Sequence, residues 1–341
     1  MINIETNQIY KQDCIQGMKD LINKGYSKSF DFIEIDPPYN IGKDVWDKFK
    51  SHEEYLEFIK EVIDLSSQLM SDNGTLFLWH NQFDSLCDIH YICKKNKLIN
   101  KNLIVWNKLY EYNGDNNKIK AKMIYLKNRL LVDSDRSYNK GMTEYCLYYT
   151  FYDEKLDSDY FKSIRDYFWK EYELSGLTLK TANELMGLAT TGANMAGELF
   201  GKKRKRFRFP TEEKYQLLQQ SGYFQRPYEE LKNEYENMRY VFNGSKNDER
   251  HCVWNYPISK EVGHMTEKPL QLYYDMFEVH TKKDSKCLFP FIGSGNNIIS
   301  LLDINKANSG NREYIGFETD DKWFGLINER IDKIANNRMG L

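Results

Sequence analysis

The sequence predicts an α/β fold, a doubly wound parallel sheet interrupted by a helical insertion. Short apolar strands alternate with amphipathic helices over residues 8–106, and the same alternation resumes over 268–335. Between them, over 151–250, strand alternation disappears and only helical spacing remains. A chain of 341 residues also exceeds one average domain of roughly 150 residues, so about two units are expected.

Residues 8–13 read as a strand, and 14–23 as a helix with Ile15, Met18, Leu21 and Ile22 at helical spacing. Residues 30–36 form an apolar strand that ends at Pro37-Pro38, where a ladder cannot continue. Ser51 caps a long helix carrying Tyr55, Phe58, Ile59, Val62, Leu65 and Leu69 on one face, and Asp72-Asn73-Gly74 is expected to stop it. Residues 75–80 and 102–106 read as strands around a helix at 83–94. Residues 109–142, rich in Asn, Lys and Tyr, read as a mobile loop.

Near the C-terminus, a helix at 268–280 precedes a strand at 286–289. The turn Gly293-Ser294-Gly295 then opens a helix at 296–304. A strand at 314–317 and a helix at 321–335 close the chain. One α/β unit is therefore expected over 1–150 and 251–341, with a helical domain over 151–250. Within that domain Thr181-Ala182-Asn183-Glu184 fits a capping box, with Gly187 ending the short helix. A second short helix at 194–200 suggests a helix-turn-helix. Tyr228, Leu231, Tyr235, Met238 and Phe242 mark one face of a further helix.

Composition excludes several classes. Hydrophobic residues at 41% and charged residues at 29% permit a buried core and argue against global disorder. No apolar run approaches the roughly 18 residues of a membrane span, and no secretory signal is readable at the N-terminus. Six cysteines without a C-x-x-C pair argue against zinc and disulfides and fit a reducing cytoplasm. A soluble cytoplasmic protein without a metal is expected. The net charge of −2 requires any nucleic-acid site to be a local basic patch.

Two segments carry chemistry. Asp36-Pro37-Pro38-Tyr39 closes a strand, and open α/β sheets bind ligands at strand carboxyl ends. An exocyclic amine is a poor nucleophile because its lone pair is delocalised into the ring. Asp36 on one N–H and the Pro37 carbonyl on the other would draw that nitrogen towards a tetrahedral shape and free the lone pair. Rigid Pro37 and Pro38 hold the acceptors still. Tyr39 offers a flat face on which an extruded base stacks. The second segment is Phe289-Pro290-Phe291-Ile292-Gly293-Ser294-Gly295 opening a helix, with Glu318 lying 23 residues beyond Gly295 at the next strand end. Glycines let the backbone approach a ligand, and an acid placed there holds ribose hydroxyls.

With these segments in this order, the chain resembles the DNA amino-methyltransferases of the beta arrangement. The likeness rests on residues 9–14, 31–40, 104–108, 264–270 and 314–318, and covers about 1–150 and 251–335. It implies a Rossmann-like methyltransferase sheet with an inserted helical target-recognition domain. It implies S-adenosylmethionine as cofactor and double-stranded DNA as substrate. Asp36 would orient the target amine and touch the methionine end of the cofactor. Asp13 and Cys14 would lie beside its adenine, Lys268 and Pro269 would border the methionine pocket, and Phe291, Gly293, Ser294, Gly295 and Asn296 would wrap it, with Glu318 on the ribose. A homodimer is expected, and a cognate restriction endonuclease is a further partner that such enzymes take.

The D-P-P-Y form favours N6 of adenine, with N4 of cytosine as the alternative. Methylation of a cytosine ring carbon needs a thiolate, typically after proline, and none of the six cysteines follows proline. Direct in-line displacement is therefore expected. The pattern departs from the family at Phe289, where an acid is usual, and at Asn296 and Asn297, where threonines are usual. These departures leave an inactive DNA-binding relative as the more distant alternative. Residues 160–209 carry ten Lys/Arg against five Asp/Glu. Lys202, Lys203, Arg204, Lys205, Arg206 and Arg208 concentrate that excess and are the expected phosphate contacts.

Overall fold

A computed structural model describes residues 5–42, 47–108, 143–151, 161–188, 195–201, 207–243, 251–258, 261–264 and 266–339. Its strands are β1 (Gln8–Lys11), β2 (Phe30–Ile35), β3 (Met70–His80), β4 (Ile99–Asn107), β5 (Thr143–Thr150), β6 (Val253–Asn255), β7 (Lys286–Phe289) and β8 (Glu313–Glu318). They form one sheet in the order β1-β8-β7-β2-β3-β5-β4-β6. The α/β class and the doubly wound sheet are as expected. One correction concerns β5, which runs antiparallel to both β3 and β4, while the other adjacent pairs are parallel.

The central strand β2 reads Phe-Asp-Phe-Ile-Glu-Ile and is almost wholly buried, as a strand covered on both faces must be. Ile33 and Ile35 enter a core shared with Met18, Leu21, Ile59, Val62 and Ile89. Those residues come from α1 (Cys14–Asn23), α2 (His52–Leu69) and α3 (Phe83–Lys95). Phe32 points to the opposite core with Phe277, Phe289, Leu301 and Ile327, which the C-terminal helices cover. Burial of large apolar side chains at about 1.5–3 kcal/mol each drives this two-sided covering.

Boundaries follow local chemistry. Ser51 caps α2 by accepting from the Glu54 amide at 3.2 Å. The helix stops at Leu69, and the chain enters β3 at once, so Asp72-Asn73-Gly74 lies within the strand. That entry is irregular, because the β2–β3 register shifts between Phe30 and Phe32. From β2 the chain winds through α2 to β3 on one side. From β7 it winds through the helix Asn296–Asn308 to β8 on the other. The carboxyl ends of the neighbours β2 and β7 therefore mark a topological switch point, where a ligand crevice opens.

The chain divides into two compact units, Met1–Phe151 with Val241–Leu341, and Tyr152–Tyr240. The second has its own core, in which Ile164, Phe168, Phe200, Tyr215, Phe224 and Leu231 are fully or almost fully buried. Its helices include Leu179–Leu185 and Met195–Phe200. Thr178, not Thr181, is the capping residue. Its side chain accepts from the Thr181 amide while Thr181 Oγ1 accepts from the Thr178 amide. Nine residues, 186–194, separate the two helices, where a helix-turn-helix uses a turn of about three or four. The expected loop at 109–142 lies outside the described residues. Phe242 lies beyond the helix Tyr228–Met238 and packs edge-on to His280 in the first unit. Among the described residues no helix is long and apolar enough to cross a membrane.

Close packing ties α1 to β8. A Cβ on Gly17 would come within 2.3 Å of Phe317 Cε1, so that position admits no side chain without displacement. Gly17→Val should lower stability by about 2 kcal/mol through overpacking, read from the urea unfolding midpoint.

Candidate active site

Strand ends bring both chemical segments to one cavity of about 440 Å³ at the switch point. Asp13, Cys14, Asp36, Pro37, Pro38 and Tyr39 line it from the N-terminal half. Lys268, Phe291, Gly293, Ser294 and Glu318 line it from the C-terminal half. Three expected residues do not line it. Pro269 serves as the N-cap of the helix Leu270–His280. Gly295 takes a left-handed conformation against Ile327, where a Cβ would meet Cγ1 at 2.7 Å. Asn296 turns inward, donating to Glu267 Oε1 at 3.0 Å and to the Lys268 carbonyl at 2.8 Å.

Each wall has a local cause. Asp13 caps α1 through the Gln16 amide at 3.1 Å, which fixes its carboxylate at the rim. Glu318 ends β8 and accepts from three backbone amides, Gly293, Thr319 and Asp320, each at 2.9 Å. Burial raises its carboxyl above the ordinary range, and these amides pull against it. A carboxylate offers about four acceptor sites, so Glu318 keeps one for a ligand hydroxyl. Arg330 donates to the Ser294 carbonyl at 2.7 Å and clamps the glycine turn. Asp47 accepts from the Asn40 amide at 2.7 Å and the Ile41 amide at 3.2 Å, anchoring the chain just after Tyr39.

The floor is a buried charge cluster. Lys268, 1% exposed, ion-pairs with Asp36 Oδ2 and lies 3.6 Å from Glu144 Oε2. The Tyr39 hydroxyl donates to Asp36 Oδ1 at 2.6 Å and has Glu144 Oε2 as a second acceptor at 3.5 Å. Lys268 Nζ donates to that hydroxyl at 3.4 Å. Lys108 pairs with the other oxygen of Glu144 and lies 4.7 Å above the Trp106 ring. Burial alone would lower the Lys268 ammonium. Asp36, Glu144 and Glu34 outweigh it, so the net direction is upward and the side chain stays charged.

Glu34 lies behind the cluster, fully buried, with Oε1 accepting from Tyr273 at 3.2 Å and Oε2 from Asn297 at 3.2 Å. Burial raises its carboxyl well above the ordinary range, and the charge of Asp36 adds to that. Sequence reasoning passed over Glu34 and Glu144. For Glu34 the signal was an acid inside an apolar strand, which a core tolerates only with partners. Phe58, expected on the apolar face of α2, also lines the cavity, as do Tyr273 and Trp323. Trp323 meets the His264 ring edge-on at 4.5 Å.

Phe289 is fully buried against Phe32 and Phe277 and presents no polar group to the cavity. Lys202, Lys203, Arg204, Lys205 and Arg206 lie outside the described residues, and Arg208 is exposed in the second unit. Among the described residues, no group of three or more His, Cys, Asp or Glu could hold a metal ion.

A sequence model of the family described as DNA methylase matches residues 30–329. Type II methyltransferase M1.MboII of Moraxella bovis is 32% identical over 31% of this chain and 38% of its own length. Type II methyltransferase M.HinfI of Haemophilus influenzae is 29% identical over 31% of this chain and 33% of its own length. The chain thus spans little more than a third of the curated relatives it matches. Among solved structures, PvuII DNA methyltransferase (cytosine-N4-specific) superposes with a TM-score of 0.50 at 8% identity. That match covers 97% of this chain and 92% of the other, and supports the fold alone.

His80 lies behind Tyr39, its ring 4.8 Å away, and burial depresses it from 6.5 to about 4. Between those values the unfolded chain binds a proton that the folded chain refuses, so stability falls as pH falls. The urea midpoint should drop between pH 7 and pH 5, and His80→Gln should flatten that slope.

Proposed function

Because the chain belongs to the DNA methylase family, we propose that it is a site-specific DNA methyltransferase, moving the methyl group of S-adenosylmethionine to the N6 amine of an adenine extruded from double-stranded DNA. The observation that carries this reading is the Asp36 carboxylate in the cavity wall, fixed through both oxygens by Lys268 and Tyr39 beside two rigid prolines. An acceptor held in advance orients an amine without reorganising when charge develops on it.

The cavity suits the donor by the chemistry of its walls. Asp13, Asp36, Asp47, Glu318 and Asp320 make it acid-rich against Lys268, which complements a cation. Phe58, Phe291 and Trp323 offer apolar and aromatic surface for a flat ring, and Glu318 retains an acceptor site for a ribose hydroxyl. S-adenosylmethionine, when bound, supplies an electrophilic methyl group on sulfur. Asp36 accepts one N–H of the target amine and the Pro37 carbonyl takes the other, so the nitrogen lone pair leaves ring conjugation. Tyr39 gives the base a stacking face and Lys268 holds the Asp36 carboxylate in place.

Adenine is favoured over cytosine by the aspartate that opens the D-P-P-Y segment, where serine is the commoner residue among cytosine-N4 enzymes. The experiment is nucleoside mass spectrometry of DNA incubated with protein and S-adenosylmethionine. N6-methyladenosine is expected. N4-methylcytosine would move the assignment to cytosine, and an unmodified digest would refute the activity. Asp36→Ala should lower kcat/KM at least about 100-fold, while circular dichroism keeps the wild-type spectrum.

Site selection falls to the helical unit under this reading. The basic run Lys202, Lys203, Arg204, Lys205, Arg206 and Arg208 supplies phosphate contacts, which hold DNA without reading its bases. Replacing Lys202, Lys203 and Arg204 with glutamine should reduce the slope of log binding constant against log salt by roughly 0.9 for each phosphate that is no longer neutralised.

A further inference from the structure

The Tyr39 hydroxyl stands where the substrate amine has to be received. It donates to Asp36 Oδ1 at 2.6 Å, while Lys268 takes Oδ2, so each oxygen of the Asp36 carboxylate already accepts one strong donor. An incoming N–H on Oδ1 therefore shares that oxygen with the hydroxyl and weakens its hold. A hydroxyl pushed off an acceptor inside a protein needs a replacement, because an unsatisfied buried polar group is costly. The replacement is already in place. Glu144 Oε2 lies 3.5 Å from the same hydroxyl, on a carboxylate only 4% exposed.

We propose that Glu144 is a positioning residue that takes over the Tyr39 hydroxyl when the target amine binds, releasing Asp36 Oδ1 to accept the amine N–H. The inference rests on the proposed methyltransferase reading and adds a residue to that site. Three features support it. Lys108 holds the opposite oxygen, Oε1, so Glu144 presents Oε2 towards Tyr39 and Lys268. Lys268 Nζ donates to the Tyr39 hydroxyl oxygen at 3.4 Å, which leaves the hydroxyl proton as the part that changes acceptor. Glu144 sits on β5, where it pairs with Trp106 of β4 and directly precedes Tyr145, which pairs with His80 of β3. The change is a short rotation of one O–H between two carboxylates, with no bond made or broken and no change in total protonation.

The variants Glu144→Gln, Tyr39→Phe and the double variant test it by steady-state kinetics on DNA. Glu144→Gln should lower kcat about tenfold while the KM for S-adenosylmethionine changes less than about twofold, because the defect lies in receiving the amine. In the Tyr39→Phe background there is no hydroxyl to relocate. There Glu144→Gln should cost no more than about twofold in kcat. Equal losses in both backgrounds would overturn the proposal, as would an unchanged kcat in Glu144→Gln. Donor binding by fluorescence titration gives a second measurement. If Glu144→Gln binds S-adenosylmethionine as the wild type does, its kinetic loss does not come from a damaged fold; if it loses that binding, Glu144 is structural and the proposal fails. Failure of the wild-type protein to methylate DNA at all would refute the underlying activity, a different result from an active wild type with additive variants.

Discussion

The ammonium of Lys268 is the constraint around which this site is organised. An unpaired charge at 1% exposure would lose its proton or unfold its surroundings, and desolvation pushes in that direction. Asp36 and Glu144 hold it, and Glu34 adds to their field. The dependence is mutual. Without the lysine, Asp36 and Glu144 would lie on either side of the Tyr39 hydroxyl with no cation bridging them. Breaking such a buried set by removing one member typically costs about 3–5 kcal/mol. The cluster is therefore a structural commitment as well as a chemical one, and its geometry is held by the same forces that keep the core closed.

Sheet order is what assembles it. Asp36 follows β2 and Glu144 opens β5, two strands away, with β3 between them. Lys268 comes from the segment just before the helix Leu270–His280, more than 200 residues after Asp36. The antiparallel insertion of β5 between β3 and β4 matters here. It brings the start of that strand, Glu144, beside the carboxyl-terminal ends of its neighbours, since Trp106 pairs with Glu144 and His80 with Tyr145. A parallel strand at that position would have presented its other end.

This explains which parts were legible in the sequence. Asp36 and Glu318 were readable because each follows a strongly patterned strand, and position at a strand end is itself the signal. Thr143–Thr150 was not readable as a strand from its neighbours. It pairs with partners far along the chain and alternates with no helix, so local periodicity carries no trace of its direction. Glu144 was hidden for the same reason. The helical unit was legible as helical, but its cap fell three residues early because Thr178 and Thr181 both satisfy the local rule and only the hydrogen bonds distinguish them. The basic run was legible only as charge, because phosphate contact depends on position relative to DNA, which composition does not encode.

The two asparagines that depart from the family pattern acquire a physical meaning from the same cluster. Asn296 donates to Glu267 Oε1 and to the Lys268 carbonyl, and Asn297 donates to Glu34 Oε2. Both amides thus serve buried acids. One of them also fixes the backbone that carries the lysine. Glu34 in turn lies one residue past Ile33, which pairs with Leu288, so it stands beside Phe289 across the β2–β7 boundary. The acid missing from β7 has a buried counterpart on the adjoining strand, and Asn297 supplies one of the donors that a buried carboxyl requires. Phe289 meanwhile fills the apolar layer against Phe32 and Phe277. The departures at 289 and 297 therefore do not leave the region behind the cavity without polar chemistry. Glu34 is a buried carboxyl on β2, partnered by Tyr273 and Asn297.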